Sequence, residues 1–282
     1  MPVIFAGTGC GGGPKIAVGS MNSTEQLLLG EIAAQHLEHR LGRKVNRRTN
    51  LGQTVNAYQA LQSGEVSLYP EYTGSIVSEI LKEQPASDAS LVFERARREM
   101  KRLAQSELFG PLGINNSFVA VIRADDPRAS KVSTLSEAAA VGDGWALGTT
   151  AEFQQLADGM PALTQYKLPM KAAARSLDGA ILFKSLEQGA VSMIVVRATD
   201  GNLTQTKWKT LRDDRNLFVP KQAVLLVLDS LLLALPAVRP ALEELTGKFS
   251  TEKMRNLNAQ VDLGHLPPQN VAASVLMDLG LR

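Results

Sequence analysis

Apolar and polar positions along the chain switch between a strand period and a helix period. Lys15–Gly19 (KIAVG) is a short apolar run that predicts a strand. Leu28, Leu29, Ile32, Ala33, Leu37 and Leu41 then recur three and four residues apart, the spacing of one helical face. That helix opens at Ser23, where Ser-x-x-Gln26 has the pattern of a capping box, and ends at Gly42. Lys44–Thr49 predicts a second strand, Thr54–Ser63 a second helix closed by Gly64, and Val66–Tyr69 a third strand stopped by Pro70. A β-α-β-α-β order predicts a parallel sheet.

Further along, Asp88–Ser106 reads as a long amphipathic helix, with Leu91, Val92, Met100, Leu103 and Ala104 towards the core. Phe118–Ile122 reads as a strand crossing from one lobe to another, and Thr134–Glu137 opens a helix with a second capping box. The plan then repeats: strand Trp145–Gly148, a helix near Glu152–Leu156, helix Asp178–Glu187, Gly189, and strand Val191–Val196. Phe218–Leu228 is the expected return crossing. Leu242–Gly280 finishes as helices, the last begun by Pro267 and Pro268. The most apolar run, Ala223–Val238, carries Asp229 and Ser230 and is shorter than the ~20 residues of a membrane helix. It reads as a buried strand leading into a helix.

The repetition extends to the letters. Tyr58–Tyr69 (YQALQSGEVSLY) and Phe183–Ile194 (FKSLEQGAVSMI) match at a constant offset of 125 (186 − 61, 189 − 64). Leu61, Gly64, Val66 and Ser67 recur as Leu186, Gly189, Val191 and Ser192. Two similar α/β lobes imply a cleft between them, and the offset sets Tyr72 of one opposite Arg197 of the other. The domain expectation is therefore a leader over residues 1–14, one lobe from 15–117 and 223–282, and a second, inserted lobe over 118–222.

Composition narrows the classes. With 44% hydrophobic and 21% charged residues the chain is ordinary for a globular protein, and 282 residues suffice for two cores. A net charge of +2 argues against a nucleic-acid partner, and the basic cluster Arg95–Arg102 alternates with acids as a solvated helix face does. The single cysteine, Cys10, forbids an internal disulfide. Its setting, GTGC before GGGP, is loosely similar to a bacterial lipoprotein cleavage site, although MPVIFA has no positive n-region and is too short for an h-region. Either translation starts further upstream or Cys10 lies in a leader. The expectation is an exported protein, lipid-anchored through Cys10 with Gly11–Pro14 as its tether.

In open α/β sheets ligands gather beyond the carboxyl ends of the strands. Here those places are Gly19–Thr24 (GSMNST), Asn50–Thr54 (NLGQT), Tyr69–Ser75 (YPEYTGS), Thr149–Phe153 (TTAEF) and Arg197–Gly201 (RATDG). All are rich in Gly, Ser, Thr and Asn, which suits a small polar ligand. Across these and the segments GINNSF, EFQQLADGMPAL, LRDDRNLFVP and PPQNVAASVLMDLGL, the chain resembles the substrate-binding component of osmoprotectant ABC transporters, from Lys15 to Leu281. Such proteins deliver glycine betaine, choline, carnitine or proline betaine to a permease. The resemblance implies a type II periplasmic-binding fold that closes over its ligand by hinge motion. It also implies a monomer in the periplasm or on the outer face of the cytoplasmic membrane, with ABC permease subunits as partners and no cofactor.

The resemblance further implies a cage of aromatic rings for a quaternary ammonium, worth ~0.5–2 kcal/mol per contact. Tyr69 and Tyr72 remain, and Phe118 stands where an aromatic follows Asn115-Asn116-Ser117. Two usual cage tyrosines are instead Arg197 and Lys221, and the arginine that usually holds a ligand carboxylate is Leu156. At ~5 Å and an effective dielectric of ~20, each added cation would repel a quaternary ammonium by ~3 kcal/mol. The expected ligand is therefore not ordinary glycine betaine, and carries an anionic or strongly polar group held by Arg197, Lys221 or both. Tyr69, Tyr72, Thr73, Phe118, Asn22 and Ser23 complete the expected site.

Other conspicuous residues read as structural. Either Arg197 or Lys221 has the alternative of snorkelling to solvent. Glu71 and Asp200 are expected to cap a helix or pair with a base. Tyr58 is expected in the core or at the surface, and Tyr166 lies in the linker-like stretch QYKLP with no argument for the pocket; Trp145, opening a buried strand, and Trp208, opening a turn, are expected in packing. His36, His39 and His265 have no metal-ligand spacing. No Ser-His-Asp order, catalytic cysteine or phosphate loop appears in the sequence, which sets an enzyme on the same fold behind a binding protein. A ligand-sensing domain, an effector domain of a transcription regulator and a domain fused to its permease are the remaining alternatives.

Overall fold

The computed structural model describes residues 14–282. Cys10 and Gly11–Gly13, the expected anchor and most of its tether, lie outside the described residues. Ten strands form two five-stranded sheets. The first holds β1 (Ile16–Gly19), β2 (Val45–Arg48), β3 (Leu68–Tyr72), β4 (Ser106–Phe109) and β10 (Ala223–Leu228), in the order β2-β1-β3-β10-β4. The second holds β5 (Phe118–Arg123), β6 (Leu147–Thr149), β7 (Arg175–Ser176), β8 (Met193–Arg197) and β9 (Trp208–Leu211), in the order β7-β6-β8-β5-β9. Six principal helices are α1 (Thr24–Leu41), α2 (Thr54–Gln62), α3 (Ala89–Ala104), α4 (Gly179–Glu187), α5 (Thr251–Asp262) and α6 (Pro268–Asp278). The chain passes from the first sheet to the second between β4 and β5, and returns between β9 and β10.

The β-α-β-α-β unit forms the expected parallel run β2-β1-β3, and the strands after the crossings make both sheets mixed. β10 runs antiparallel to both β3 and β4, and β5 antiparallel to both β8 and β9. These are the strands that follow the crossings, and each inserts between strands laid down by the helical crossovers. Three strands, β4, β7 and β9, were not foreseen. Trp208 opens β9 rather than a turn, stacking against Phe183 with ring centroids 5.3 Å apart. β3 also runs through Pro70 to Tyr72. Its pairing with β1 is confined to Val18↔Leu68, so on that side Pro70 forfeits no ladder hydrogen bond.

The 125-residue repeat is structural. α2 and α4 begin at residues 54 and 179 and end at 62 and 187, and β3 and β8 begin at 68 and 193 and end at 72 and 197. Both helices are followed by a left-handed glycine, Gly64 (φ 75°) and Gly189 (φ 73°). Ser67 and Ser192 then play the same part. Each hydroxyl accepts from the amide of a neighbouring strand segment, Ala17 at 3.2 Å and Ala146 at 3.0 Å. Their own amides return bonds to the same residues' carbonyls, at 2.7 and 2.8 Å. Tyr72 and Arg197 end their strands at matching positions.

One core fills the first lobe, around Leu28, Leu61, Leu68 and Leu225. The second sheet is buried on both faces: Phe118, Ala120 and Ile122 of β5 face one cluster, and Val121 faces the other. Trp145 is fully buried, its indole N–H donating to the Ala138 carbonyl at 2.9 Å. His36 is buried between the carbonyls of Ala241 and Leu281.

The lobes touch at two places. The crossing segments pair with each other, the Asn116 amide donating to the Lys221 carbonyl at 2.9 Å and the Ala223 amide to Ile114 at 3.0 Å. Beside them α5 packs against the turn after β8: Arg255 donates two hydrogen bonds to the Ala198 carbonyl, and Asn258 one to Thr199. Gly201 sits so close to α5 that a Cβ there would lie 2.7 Å from the Ala259 nitrogen. Gly201→Ala is expected to destabilise the protein by about 1–3 kcal/mol through this backbone clash. Urea unfolding of the variant checks it, and an unchanged midpoint would refute it.

Candidate functional site

A cavity of about 500 Å³ lies between the lobes at the carboxyl ends of β3 and β8, a size typical of small-molecule sites. All five strand-end loops contribute to it. Met21, Ser23 and Gln26 come from the start of α1, Gln53 and Thr54 from the start of α2, and Tyr72, Ser75 and Glu79 from the end of β3 and the helical turns after it. Glu152, Gln155 and Leu156 come from the short helix 151–155 and its end, and Arg197 from β8; Asn116 and Lys221 come from the two crossing segments. A larger groove of about 780 Å³, bounded by residues such as Arg97, Lys101, Phe109 and Arg239, is confined to the flank of the first lobe. Its charged groups largely pair with one another, as in Lys101–Glu107 and Arg239–Glu107, so the cavity between the lobes is the candidate site.

Of the expected residues, Tyr72, Arg197, Lys221 and Ser23 line this cavity, and Tyr69, Thr73, Phe118 and Asn22 do not. Tyr69 is fully buried in the first core, where strand alternation turns it from the side that Tyr72 serves; its hydroxyl donates to Glu71. Thr73 is also buried, its Oγ1 accepting from the Gln222 amide. Asn22 accepts from the Gly52 amide at 3.0 Å and ties two loops together. Phe118 packs edge-on against Phe153 and Phe218. Its face is covered: the Arg197 guanidinium lies 4.0 Å above the ring and the Lys221 ammonium 5.4 Å from its centre.

The charges differ from expectation as well. Arg197 pairs with Glu152 at 2.5 Å, and Lys221 with Asp158 at 3.1 Å. Neither carboxylate was foreseen as a partner, so the two cations are not free to repel a ligand by the full Coulomb energy. Nor does either snorkel away: Lys221 is buried, and Arg197 lies over Phe118 at the cavity wall. Burial and the nearby guanidinium of Arg197 hold the Lys221 ammonium below its ordinary pKa. The Lys221–Asp158 pair is close but off hydrogen-bond alignment, and both Asp158 oxygens and the Lys221 Nζ lack hydrogen-bond partners among the described residues. The Phe118 ring thus already carries two cations of the chain itself.

Beneath the cavity lies a network that the sequence did not announce. Glu25, buried in the first turn of α1, accepts from the Tyr72 hydroxyl, from Asn116 Nδ2 at 3.0 Å and from Asn258 Nδ2 at 3.0 Å. Burial raises its pKa, although hydrogen bonds from Thr199, Tyr72 and Asn258 oppose the rise. The network joins α1, β3, a crossing segment and α5 under one carboxyl. Among the described residues Glu71 neither caps a helix nor forms an ion pair; it accepts from the Tyr72 amide at 2.8 Å and from Tyr69, and burial pushes its pKa up to about 8. Asp200 does cap a helical turn, accepting from the Asn202 amide.

Hydrogen-bonding capacity remains open along the cavity wall. The Gln26 oxygen and nitrogen, Asn116 Oδ1, Arg197 Nη1 and Lys221 Nζ are buried without hydrogen-bond partners among the described residues. Gln26 approaches the Tyr72 hydroxyl, but no hydrogen bond forms between them. No group of His, Cys, Asp and Glu among the described residues is arranged to hold a metal ion.

Two α/β lobes joined by paired crossing segments, with a polar cavity between them, define a two-lobed solute-binding protein. The family model for the substrate binding domain of ABC-type glycine betaine transport systems, OpuAC, matches residues 14–277, and the chain belongs to that family. It is 27% identical to a carnitine transport binding protein, OpuCC, of Listeria monocytogenes, over 94% of this chain and 87% of the relative. It is 28% identical to an ergothioneine transport permease and binding protein, EgtU, of Helicobacter pylori, over 94% of this chain and 48% of that longer protein. A solved glycine betaine/carnitine/choline ABC transporter structure superposes with a TM-score of 0.87 at 21% identity, over 95% of this chain and 99% of that one, and so shares the fold. The chain is thus a substrate-binding component of the osmoprotectant class of ABC transporters.

Two outcomes follow for the buried charges. Asp158→Ala strands Lys221 in the interior and is expected to lose about 3–5 kcal/mol of stability, most of it regained in Asp158→Leu/Lys221→Met. Urea unfolding distinguishes them, and equal stability of single and double variants would contradict the pairing. Glu71 keeps its proton in the folded chain up to about pH 8, whereas the unfolded chain releases it near 4.5. The folded state therefore loses stability as pH rises between these values, by about 1.4 kcal/mol per unit. Glu71→Gln should remove that slope, so its advantage over the parent grows from pH 5 to pH 8 and then levels; parallel unfolding curves across this range would exclude it.

Proposed function

We propose that this chain is the extracytoplasmic, monomeric solute-binding component of an ABC importer. Its solute sits between the lobes, carries an anionic or strongly polar group, and is delivered to a permease. The observation that carries this reading is Arg197: one terminal nitrogen is engaged by Glu152, and the other is buried at the cavity without a partner among the described residues. A guanidinium with one arm fixed and one open receives an oxygen anion in a defined orientation. Lys221 supports the site through its charge and by covering Phe118, rather than as a free anion clamp. Its backbone sits on the crossing segment, so Arg197 is the cation that moves with the second lobe.

Function then needs no covalent chemistry. A solute held by Arg197 on one lobe and by Gln26 and Tyr72 on the other favours the closed arrangement, and a permease reads the changed surface. Relatives named for carnitine and for ergothioneine leave the solute open. Attachment through Cys10 would keep the protein beside its permease.

The test is a thermal-shift screen of quaternary amines, amino acids and small organic anions, followed by affinity measurement on Arg197→Ala. The expected result is a stabilising solute with an anionic or strongly polar group, bound at least about tenfold more weakly by the variant. Tight glycine betaine binding that survives Arg197→Ala unchanged would overturn the reading.

A further inference from the structure

The geometry points to a ligand that donates hydrogen bonds: a small amino acid, or another zwitterion whose nitrogen retains N–H, rather than a quaternary ammonium compound. This rests on the reading that the cavity is the solute site with Arg197 as its anion receptor. Three observations extend that reading to the other end of the ligand.

The first concerns aromatic surface. A quaternary ammonium is recognised by ring faces, because it has no N–H to offer. Tyr72 is the one aromatic side chain lining the cavity among the described residues. Its hydroxyl is held by Glu25, and the neighbouring Phe118 face already carries two cations of the chain itself.

The second concerns acceptors. Gln26 Oε1 and Asn116 Oδ1 belong to cavity-lining side chains that are 1% and 8% exposed, and neither oxygen has a hydrogen-bond partner among the described residues. Burying a quaternary ammonium against them would leave both unmatched, whereas N–H or O–H groups satisfy them.

The third concerns charge. Two carboxylates line the cavity, Glu152 and Glu79. Glu152 is taken by Arg197. Glu79, one helical turn beyond Ser75, is half-buried and has no counter-ion within ion-pair distance among the described residues. A carboxylate without an ion-pair partner, sharing the cavity with unpaired amide oxygens though within the field of the Lys221 ammonium, matches a protonated amine with its own N–H donors better than a hydroxyl. In this arrangement the ligand carboxylate meets Arg197 Nη1 and the Gln26 amide nitrogen. Its ammonium meets Glu79, with the Gln26 and Asn116 oxygens alongside.

The experiment is isothermal titration of the unmodified chain with matched pairs that differ by N-methylation: proline against its N,N-dimethyl betaine, and dimethylglycine against glycine betaine. Lactate serves as the hydroxy-acid control. Each N–H member is expected to bind at least about tenfold more tightly than its quaternary partner, because a site built around hydrogen-bond donors rejects an analogue that lacks them. Glu79→Gln should narrow that gap, while the ligand series itself needs no variant. Equal or tighter binding of the quaternary members overturns the inference, as does lactate outranking the amines. If no member binds but another solute stabilises the chain through Arg197, this inference falls and the proposed function stands. A ligand indifferent to Arg197→Ala removes both.

Discussion

The burial of Lys221 is the constraint around which the cleft is arranged. A lysine that is 1% exposed is unfavourable without an opposite charge, and Asp158 supplies one at 3.1 Å. Lys221 belongs to a crossing segment and Asp158 to the second lobe, so this pair fixes the return crossing against the lobe it leaves. The Lys221 ammonium also lies 5.4 Å from the centre of the Phe118 ring, over which Arg197, held by Glu152, sits at 4.0 Å. The aromatic centre of the site thereby becomes an internal support for two cations. Tyr72 and the open amide of Gln26 are left to face the cavity.

The approach of chain to chain at this point is close. Gly74, directly after the Tyr72–Thr73 pair, lies where a Cβ would be 2.6 Å from the Pro220 carbonyl and 3.0 Å from the Lys221 side chain. The loop after β3 therefore has to be glycine for the crossing segment to pass, and the crossing segment has to pass there for Lys221 to reach Asp158. The buried ion pair and the small residue are two sides of one packing requirement. This explains why the YPEYTG segment and the FVPK segment meet in space although 149 residues separate Thr73 from Gln222.

The two-lobed plan was readable because it is encoded twice. Helix α2 and strand β3 recur as α4 and β8 with identical lengths and spacing, down to the left-handed glycine and the serine that bonds the adjacent strand. Strand periodicity and glycine caps are local properties, and a single chain displays them. Strands β4, β7 and β9 escaped because they are short and are set by pairing with β10, β6 and β5, which are distant in sequence. Pro70 misled for a related reason: whether proline interrupts a strand depends on which neighbour its missing N–H would have met. In the site, position was easier to foresee than partnership. Tyr72, Arg197 and Lys221 were placed by the repeat and the resemblance. Glu152, Asp158 and Glu25 were not, because ion pairing is decided by side-chain direction and by residues tens or hundreds of positions away.

Gln26 shows how a local rule can hide a site residue. The capping-box patterns at Ser23 and Thr134 resolve differently. At Thr134 both halves form: the hydroxyl receives the Glu137 amide, and the Glu137 carboxylate receives the Thr134 amide. At Ser23 only the first half forms, the serine accepting from the Gln26 amide at 3.3 Å. The Gln26 side chain lines the cavity between the lobes instead, buried and without a hydrogen-bond partner among the described residues. A local motif left half-made, at the N-terminus of a helix that faces a cleft, forgoes a capping hydrogen bond that its own sequence could supply. Such an inconsistency between levels is what a binding requirement imposes on an otherwise self-consistent fold. The same residue thus looks like a structural cap in the sequence and an unmatched amide in the structure. The unmatched amide is the one that bears on the ligand.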